Sequence, residues 1–322
     1  MTFLPDRVVA RLRTELQLPD LSGTRYRVVK FLGRGGMGEV WLAEDTVLER
    51  SIALKILSPE SGHAELASRL MREAVVLARL EHPGIVPVHD AGVLPDGRAF
   101  YCMKYVAGQT LDKHITGMDL HRRLQLLLRI TEPLAFAHSR GIIHRDLKPG
   151  NVMVGPFGEV LILDWGLAKI HGNDPSVADH GPAQPARGGS AETETAHGAI
   201  MGTPGFMAPE QARGETSLID HRADIFALGA IMAFMLRAPD PPARPLQAIY
   251  NKAMDAEISA RYASVGEMAA DIERNLQGLP VTAYRENLWE RASRLAGRNR
   301  VAIVLVLAYL LMRILFVVFS RR

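Results

Sequence analysis

The chain has 322 residues, 48% of them hydrophobic, so it is long enough to bury one large core or two smaller cores joined by a cleft. Its single cysteine, Cys102, excludes an intrachain disulfide and favours a reducing compartment. Residues 285–322 hold eight Arg against Glu286 and Glu290, a net charge of +6, so the whole-chain charge of +3 leaves −3 for residues 1–284. We therefore expect no nucleic-acid surface on the globular part.

Residues 1–22 are predicted to form an N-terminal extension. Val8, Val9, Leu12 and Leu16 are mixed with charged residues, which predicts a short amphipathic helix packing on the globular part of the chain. We expect no signal peptide, because the first twelve residues contain charges and lack an apolar core.

The next residues predict a small sheet-rich lobe over 23–106, followed by a larger helical lobe over 107–280. Runs rich in β-branched and aromatic residues predict strands at residues 26–32, 39–44, 51–56, 86–89 and 99–105, and a later pair at 151–154 and 160–163. Apolar residues at helical spacing predict helices at residues 64–80, 120–139, 222–236, 246–254 and 265–277. The predicted fold class is therefore α+β, with two lobes.

Residues 171–200, inside the second lobe, are rich in Gly, Ala, Pro, Ser, Thr and His. Val177 and Ile200 are nearly the only strong hydrophobes there. Such a stretch cannot offset its ordering entropy by burial, so we predict a mobile loop.

A glycine-rich stretch lies between the first two predicted strands, where Gly33, Gly35, Gly38 and Val40 form a G-x-G-x-x-G-x-V pattern. Alone, this pattern is weak, since it also opens dinucleotide-binding units or makes a hairpin turn. Its place between two strands, with Lys55 on the next strand, favours a flap over nucleotide phosphates. The glycines let the backbone approach the phosphates, and the lysine supplies a point charge for them.

A lysine on a buried strand needs a carboxylate partner to stay charged at low cost. Glu73, in the middle of the helix predicted at 64–80, is the candidate partner of Lys55. Taken alone, the two residues would be read as a snorkelling lysine and a solvated helix residue. The motifs later in the chain favour the ion pair.

The strongest signal is the loop His-Arg-Asp-Leu-Lys-Pro-Gly-Asn at residues 144–151. Asp146 is suited to accept a hydroxyl proton, Lys148 to neutralise a transferring phosphoryl group, and Asn151 to bind Mg²⁺. Asp164 of an Asp-Trp-Gly triplet follows at the end of an apolar strand, where it is suited to bridge Mg²⁺ between phosphate oxygens. A Gly-Thr-Pro-Gly-Phe-Met-Ala-Pro-Glu run then closes the segment.

As an ordered set, these motifs resemble those of the eukaryotic-like serine/threonine protein kinases of bacteria, the Hanks-type kinases, over residues 26–276. The resemblance implies the bilobal protein kinase fold, ATP and Mg²⁺ as cofactors, and transfer of the ATP γ-phosphate to Ser or Thr of protein substrates. The catalytic residues that it implies are Asp146, Lys148, Lys55 and Glu73, and the metal ligands are Asn151 and Asp164. The nucleotide site that it implies comprises Leu32, Gly33, Gly35, Gly38, Val40, Ala53, Lys55, Met103, Tyr105, Val106 and Met153.

The same resemblance implies supporting roles. Glu210 should pair with Arg261, and Asp224 should anchor the catalytic loop from a central helix. A stacked apolar spine should contain Leu77, His144 and Trp165.

Control by phosphorylation is a further expectation. Arg145, next to the catalytic aspartate, suggests an activation loop that responds to phosphate. Thr193 and Thr195 are the predicted phosphorylation sites, and self-association would allow trans-autophosphorylation.

The chain departs from the family pattern in three places. Trp165 replaces the usual Phe of Asp-Phe-Gly, and Phe206 stands where Tyr is common. Residues 237–245 are too few to hold the further helix that the family has here, so we expect a C-lobe shortened after the central helix, where substrates and regulators dock.

Residues 301–319 are apolar except for Arg313, and as a helix they would span ~28 Å, close to the ~30 Å hydrocarbon core. Their fourteen Leu, Ile, Val and Phe residues contribute roughly −6 kcal/mol to insertion, against about +3 kcal/mol for the arginine. Residues 281–300 form a basic juxtamembrane segment with five Arg. We therefore predict a single-pass anchor in the inner membrane, in contact with lipid, with the kinase domain cytoplasmic. The alternative is a buried or amphipathic helix that docks on the kinase.

Two other functions fit the same fold. A pseudokinase would keep the fold as a binding scaffold without phosphoryl transfer, and only the shortened C-lobe favours it. A small-molecule kinase of related fold is disfavoured by Lys148 and by the Gly-Thr-Pro segment, which by resemblance serve protein substrates.

Overall fold

In the computed structural model, the chain forms two lobes of different composition. The structure describes residues 18–35, 38–58, 64–165, 169–170, 205–237 and 242–291, and within the C-terminal segment residues 304–306, 308–313 and 316. The N-lobe is a five-stranded antiparallel sheet in the order β1-β2-β3-β5-β4 with one helix, α1. Its elements are β1 (Tyr26–Arg34), β2 (Gly38–Asp45), β3 (Arg50–Leu57), α1 (Ala64–Arg79), β4 (Val88–Val93) and β5 (Ala99–Lys104).

The two faces of the N-lobe sheet bury different side chains, as expected for strands with alternating side-chain direction. On one face Trp41, Leu54 and Phe100 belong to a separate core cluster that also contains Cys102. On the other face Ala53 joins the main core, together with one face of α1. Burial raises the pKa of the Cys102 thiol to about 11, so this cysteine is a core residue and not a reactive thiol.

The C-lobe is built around helices and two small sheets. Its elements are β6 (Gln109–Thr110), α2 (Leu111–His114), α3 (Leu120–Ser139), β7 (Ile142–Ile143), β8 (Val152–Val154), β9 (Val160–Ile162), β10 (Lys169–Ile170), α4 (Pro209–Ala212), α5 (Arg222–Met235), α6 (Arg244–Ala253) and α7 (Val265–Leu276). Asp119 caps α3 by accepting a hydrogen bond from the Arg122 amide at 2.8 Å, and Ser264 caps α7 in the same way. Nearly all residues of α5 are buried, as expected of a helix that is apolar on all sides.

The predicted two-lobed α+β architecture is confirmed, with differences at short elements. The strand predicted at 86–89 lies at Val88–Val93, because Pro87 has no amide hydrogen to donate and Ile85 makes only an isolated bridge to Ile162. The two-residue strands and four-residue helices are too short for periodicity to reveal. The N-terminal helix and the loop predicted at 171–200 lie outside the described residues.

A close contact joins α5 directly to α6, the next helix in the described part of the chain. A Cβ atom at Gly229 would lie 2.7 Å from the Ala253 Cβ atom and 2.8 Å from the Met254 Cγ atom. Only glycine therefore allows the two helices to approach this closely.

The predicted membrane helix is not confirmed. Within the described residues, no helix is both long and apolar enough to cross a membrane. Residues 304–306 and 308–313 are helical and exposed, while residues 301–303, 307, 314–315 and 317–319 of the predicted span lie outside the described part. The span therefore stays a prediction.

We expect Gly229→Ala to destabilise the C-lobe by about 1–3 kcal/mol, because the added methyl group overpacks the contact between α5 and α6. Thermal unfolding of the purified protein measures the effect. Gly266→Ala is the matched control, since the nearest atom to its added Cβ would be the Ser264 hydroxyl at 3.7 Å. Equal stability of the two variants would contradict the packing argument.

Candidate active site

Lys55 lies at the centre of a buried charge network between the lobes. On β3 it pairs in register with Val40 of β2 and Tyr101 of β5, so its side chain leaves a fully paired strand. Its Nζ atom lies 2.9 Å from both Glu73 carboxylate oxygens and 2.6 Å from Asp164 Oδ1. The predicted ion pair is present, and the ammonium group joins α1, β3 and the Asp-Trp-Gly segment.

The structure adds Tyr101 to this network, which the sequence patterns did not predict. The Tyr101 hydroxyl donates a hydrogen bond to Glu73 Oε1 at 2.8 Å, and both side chains are buried. The residue lies directly opposite Lys55 on the neighbouring strand. A strand register would have revealed it, but the register between β3 and β5 cannot be read from one sequence.

The protonation of the three charged groups follows from this geometry. Burial would lower the pKa of Lys55, but the Glu73 and Asp164 carboxylates raise it above its ordinary value. Burial raises the pKa of Glu73 above its ordinary value. This effect outweighs the Lys55 ammonium group and the hydrogen bonds from Lys55 and Tyr101, which lower the pKa. Burial would also raise the pKa of Asp164, but Lys55 holds it below its ordinary value. Glu73 is therefore the member of the network that takes up a proton first as the pH falls.

The catalytic-loop residues are assembled next to this network. Lys148 Nζ lies 2.8 Å from Asp146 Oδ2, and the Asn151 amide nitrogen donates to the Asp146 carbonyl oxygen at 2.7 Å. The Leu163 backbone amide donates to the Asn151 carbonyl oxygen at 2.8 Å, which ties the end of β9 to the catalytic loop and places Asp164 beside Asn151. The structure therefore brings the predicted base, its lysine and both predicted metal ligands into one cleft.

Two residues of the cleft have a strained backbone. Arg145 has a φ of 69° and Asp164 a φ of 61°, in the left-handed region that side chains other than glycine rarely adopt. Such strain costs about 1–3 kcal/mol per residue and persists only where surrounding contacts impose it. At Arg145, the carboxylate of Asp224 on α5 imposes it, because it accepts hydrogen bonds from the His144 and Arg145 amides at 2.8 Å each.

Asp224 has the anchoring position that the family resemblance implies. It is fully buried, and burial alone would raise its pKa, but hydrogen bonds from His138 and from the loop amides hold it below its ordinary value. His138 Nε2 lies 2.7 Å from Asp224 Oδ2. The carboxylate therefore stays charged while it fixes the catalytic loop to the central helix.

The predicted spine and the second predicted ion pair are also present. The rings of His144 and Trp165 have centroids 4.6 Å apart, and Leu77 is buried in the same core cluster as Trp165. The Arg261 guanidinium donates two hydrogen bonds to the Glu210 carboxylate, at 2.7 and 2.8 Å, where both side chains are buried. The indole at position 165 is thus accommodated in the core.

The residues predicted to bind the adenine lie on both sides of the cleft. Ala53 pairs in register with Met103, and both are buried. Tyr105 and Met153 pack partly buried against the main core, and Val106 is buried. The connection after β5 therefore lies where the resemblance places the hinge between the lobes.

The glycine-rich turn is held by contacts of its own. The Gly35 amide donates to the Gly38 carbonyl oxygen at 2.8 Å, and a Cβ atom at Gly38 would overlap the Ile56 carbonyl oxygen. Gly33 has open space around its Cα atom, while Leu32 is exposed at the end of the flap. Residues 36–37 lie outside the described part.

A polar cluster that the sequence patterns did not predict supports the base of this flap. Arg34 lies 2.6 Å from Glu39 Oε1, and the Trp41 indole nitrogen donates to Glu39 Oε2 at 3.3 Å. Trp41 also packs edge-on against Phe31, with ring centroids 5.1 Å apart. These contacts link β1 to β2 on both sides of the glycine-rich turn.

A family model described as the protein kinase domain matches residues 26–292 of the chain. The chain belongs to the protein kinase family. The kinase is 32% identical to the serine/threonine-protein kinase PknD of Protochlamydia amoebophila, an alignment that covers 86% of this chain and 33% of that protein. It is 36% identical to PknD of Chlamydia felis, covering 80% of this chain and 31% of that protein. The resemblance to bacterial Hanks-type kinases is thereby confirmed, although the chain spans only about a third of the length of these curated relatives.

Solved structures give the same result for the fold. The crystal structure of the PknI kinase domain of Mycobacterium tuberculosis matches this kinase with a TM-score of 0.57 and 27% sequence identity. The match covers 80% of this chain and 98% of that domain. The bilobal kinase fold is therefore confirmed.

The donor atoms of the cleft fit a nucleotide with Mg²⁺. Asn151 uses its amide nitrogen on Asp146, which leaves its oxygen as a ligand atom, and the Asp164 carboxylate is partly exposed. The described residues contain no group of three or more His, Cys, Asp or Glu side chains that could hold a metal ion. Mg²⁺ bound with a nucleotide takes only one or two carboxylates and fills its other positions with phosphate and water. These two ligands match that requirement.

We expect Tyr101→Phe to move the acid limb of the pH–activity profile to higher pH. The Tyr101 hydroxyl donates to Glu73 and lowers its pKa, so its removal lets Glu73 become protonated at a higher pH and break the pair with Lys55. Activity measured across the acid range, at saturating ATP, gives the shift.

Tyr262→Phe is the matched control for this variant. It removes a hydroxyl that donates to the buried Asp271 carboxylate at 2.9 Å, so it costs a similar hydrogen bond in the C-lobe. We expect it to lower stability without moving the acid limb. The role assigned to Tyr101 is wrong if both variants leave the profile where it is, or if both move it equally.

Proposed function

We propose that this kinase transfers the γ-phosphate of ATP to serine or threonine hydroxyls of protein substrates. The observation that carries the proposal is the network in which Lys55 contacts both Glu73 and Asp164, beside the assembled catalytic loop. The identity to serine/threonine-protein kinases named PknD supports the same conclusion.

The residues of the chain divide the work of phosphoryl transfer. Lys55 supplies a fixed positive charge for the phosphates, and Glu73 holds that charge in place. Asp146 orients the substrate hydroxyl and accepts its proton, while Lys148, 2.8 Å away, offsets negative charge on the transferring group. Asn151 and Asp164 would hold Mg²⁺, which when bound neutralises charge on the phosphate oxygens.

Two alternatives are separated by one assay. A pseudokinase would bind nucleotide without transferring phosphate, and a small-molecule kinase would not label a protein. The complete set of catalytic side chains disfavours the pseudokinase. Incubation of the protein with labelled ATP, Mg²⁺ and a generic basic protein labels that protein only if the proposed function is right, so it separates this function from both alternatives.

In that assay we expect Asp146→Asn to lower the rate of transfer by about 10²- to 10⁴-fold, because the amide cannot accept the hydroxyl proton. The affinity for ATP, measured by calorimetry, should stay almost unchanged, since Asp146 does not hold the nucleotide. Asp96→Asn, in the exposed turn between β4 and β5, is the control. A loss of ATP affinity as large as the loss of rate would contradict the role of Asp146.

Membrane anchoring is the second part of the proposal. Residues 301–319 have the length and hydrophobicity of a spanning helix, and the described residues among 304–316 expose their large apolar side chains. The five Arg of residues 281–300 outnumber the two at positions 321 and 322, which favours a single-pass inner-membrane protein with a cytoplasmic kinase domain.

We expect the full chain to sediment with membranes, to resist extraction by high salt and to be released by detergent. A chain ending at residue 298 should lack this behaviour because it has no apolar segment. Release of the full chain by salt alone would show that the arginines, and not a spanning helix, hold it at the membrane.

Control by autophosphorylation is the third part of the proposal. The segment before Gly202 contains Thr193 and Thr195, and a phosphate there would add about −1.5 to −2 charges. Such a charge can order a segment through pairing with arginine, and Arg145 lies in the catalytic loop. Self-association would let one copy phosphorylate another. Both threonines lie outside the described residues.

We expect the double variant Thr193→Ala/Thr195→Ala to phosphorylate an added protein clearly more slowly than the parent, because it cannot carry the ordering phosphate. Mass spectrometry of the active enzyme should find phosphate within residues 190–195. An unmodified segment in active enzyme, or a double variant as fast as the parent, would refute this mode of control.

A further inference from the structure

A helix that begins at Leu288, after α7 and at the end of the kinase domain, exposes two large apolar side chains. Leu288 is 83% exposed and Trp289 is 85% exposed, at the first turn of this helix. Arg285 and Arg291, on either side of the pair, are exposed as well. An exposed tryptophan and leucine flanked by arginines indicate a surface that contacts something both apolar and anionic.

The segment before this helix is held firmly to the C-lobe. The Asp271 carboxylate of α7 accepts hydrogen bonds from the Thr282 amide and hydroxyl at 2.7 Å each, and from the Ala283 amide at 3.0 Å. Val281 is buried in the main core. The chain therefore leaves the C-lobe along a fixed path.

A reciprocal pair of hydrogen bonds defines the start of the helix. The Glu290 amide donates to Asn287 Oδ1 at 2.8 Å, and the Asn287 amide donates to Glu290 Oε2 at 3.0 Å, which is a capping box. Glu290 also accepts from the Tyr284 hydroxyl at 2.9 Å and lies 3.4 Å from Arg244 of α6. These contacts turn the Glu290 side of the helix towards the C-lobe and leave Leu288 and Trp289 facing away from it.

The sequence after residue 291 indicates what the exposed Leu288 and Trp289 contact. Three more arginines, Arg294, Arg298 and Arg300, come before the apolar residues 301–319. Tryptophan is enriched where protein meets the headgroups of a membrane, and arginines close to a spanning helix are attracted to anionic lipid.

We propose that Leu288 and Trp289 insert at the headgroup level of an anionic membrane, with Arg285 and Arg291 beside the lipid phosphates, and so hold the C-lobe against the membrane surface. The inference rests on the proposed anchoring by residues 301–319. Residues 292–300 reach ~14 Å as a helix and ~31 Å when extended, so either conformation allows Trp289 to contact the headgroups of the bilayer that holds the anchor.

Tryptophan fluorescence tests this contact in the full chain, because Trp289 is the exposed member of three tryptophans. Trp41 and Trp165 are only 4% and 1% exposed. The protein is reconstituted into vesicles of equal parts phosphatidylcholine and phosphatidylglycerol. Part of the phosphatidylcholine carries bromine, a contact quencher, either near the headgroups or at the end of the acyl chains. The Trp289→Phe variant is the control, because its fluorescence comes from the two buried tryptophans alone.

We expect shallow bromine to quench the parent protein more than deep bromine does, and Trp289→Phe to lose that quenching. Flotation of the vesicles measures anchoring separately in the same samples. Protein that floats, but whose quenching equals that of Trp289→Phe, would overturn the surface contact and leave the anchor standing; the pair would then face a protein partner or solvent. Protein that does not float would overturn the contact and the anchor together, while the kinase assay would still report on catalysis.

Discussion

The structure depends on one buried positive charge. The Lys55 ammonium group is placed by a strand at the centre of the N-lobe sheet and contacts carboxylates from two other parts of the fold, Glu73 of α1 and Asp164 of the C-lobe. Removing one partner from such a buried pair typically costs about 3–5 kcal/mol, because the remaining charge is left without compensation. The position of α1, the contact between the two lobes and the location of Asp164, the predicted metal ligand, are thus linked through a single group.

A second constraint fixes the catalytic loop to the helices of the C-lobe. Asp224 lies on α5, the most deeply buried helix of the C-lobe, and its carboxylate accepts the amides of His144 and Arg145. These contacts stabilise the left-handed backbone of Arg145, together with a hydrogen bond from Gln211 Nε2 to the Arg145 carbonyl oxygen at 2.8 Å. The close approach of α6 to α5 at Gly229 packs a further helix against the helix that holds this loop.

The side chains expected to carry out the chemistry could be predicted from the sequence better than the contacts that hold them in place. Lys55, Asp146, Asn151 and Asp164 are predicted because phosphoryl transfer needs their side chains, and Glu73 is predicted because a buried lysine needs a carboxylate partner. The structure brings these residues together. The role of Tyr101 follows from the register between β3 and β5, which no local pattern encodes.

The other differences have physical reasons of the same kind. Pro87 delays the start of β4, and elements of two to four residues are set by tertiary contacts, not by periodicity. The outward direction of Trp289 depends on the hydrogen bonds that Glu290 accepts from Asn287 and Tyr284, and on its ion pair with Arg244 of a distant helix. Composition alone shows that the region is basic, but only the structure shows which side of the helix is exposed.

Lys55 and Glu73 act as one unit in this structure, and a double-mutant cycle can measure that coupling. The values of kcat/KM for ATP are measured for the parent, for Lys55→Met, for Glu73→Gln and for the double variant. We expect strong non-additivity, with the double variant about as slow as the slower single variant, because either change alone breaks the ion pair. Independent losses that multiply in the double variant would contradict it.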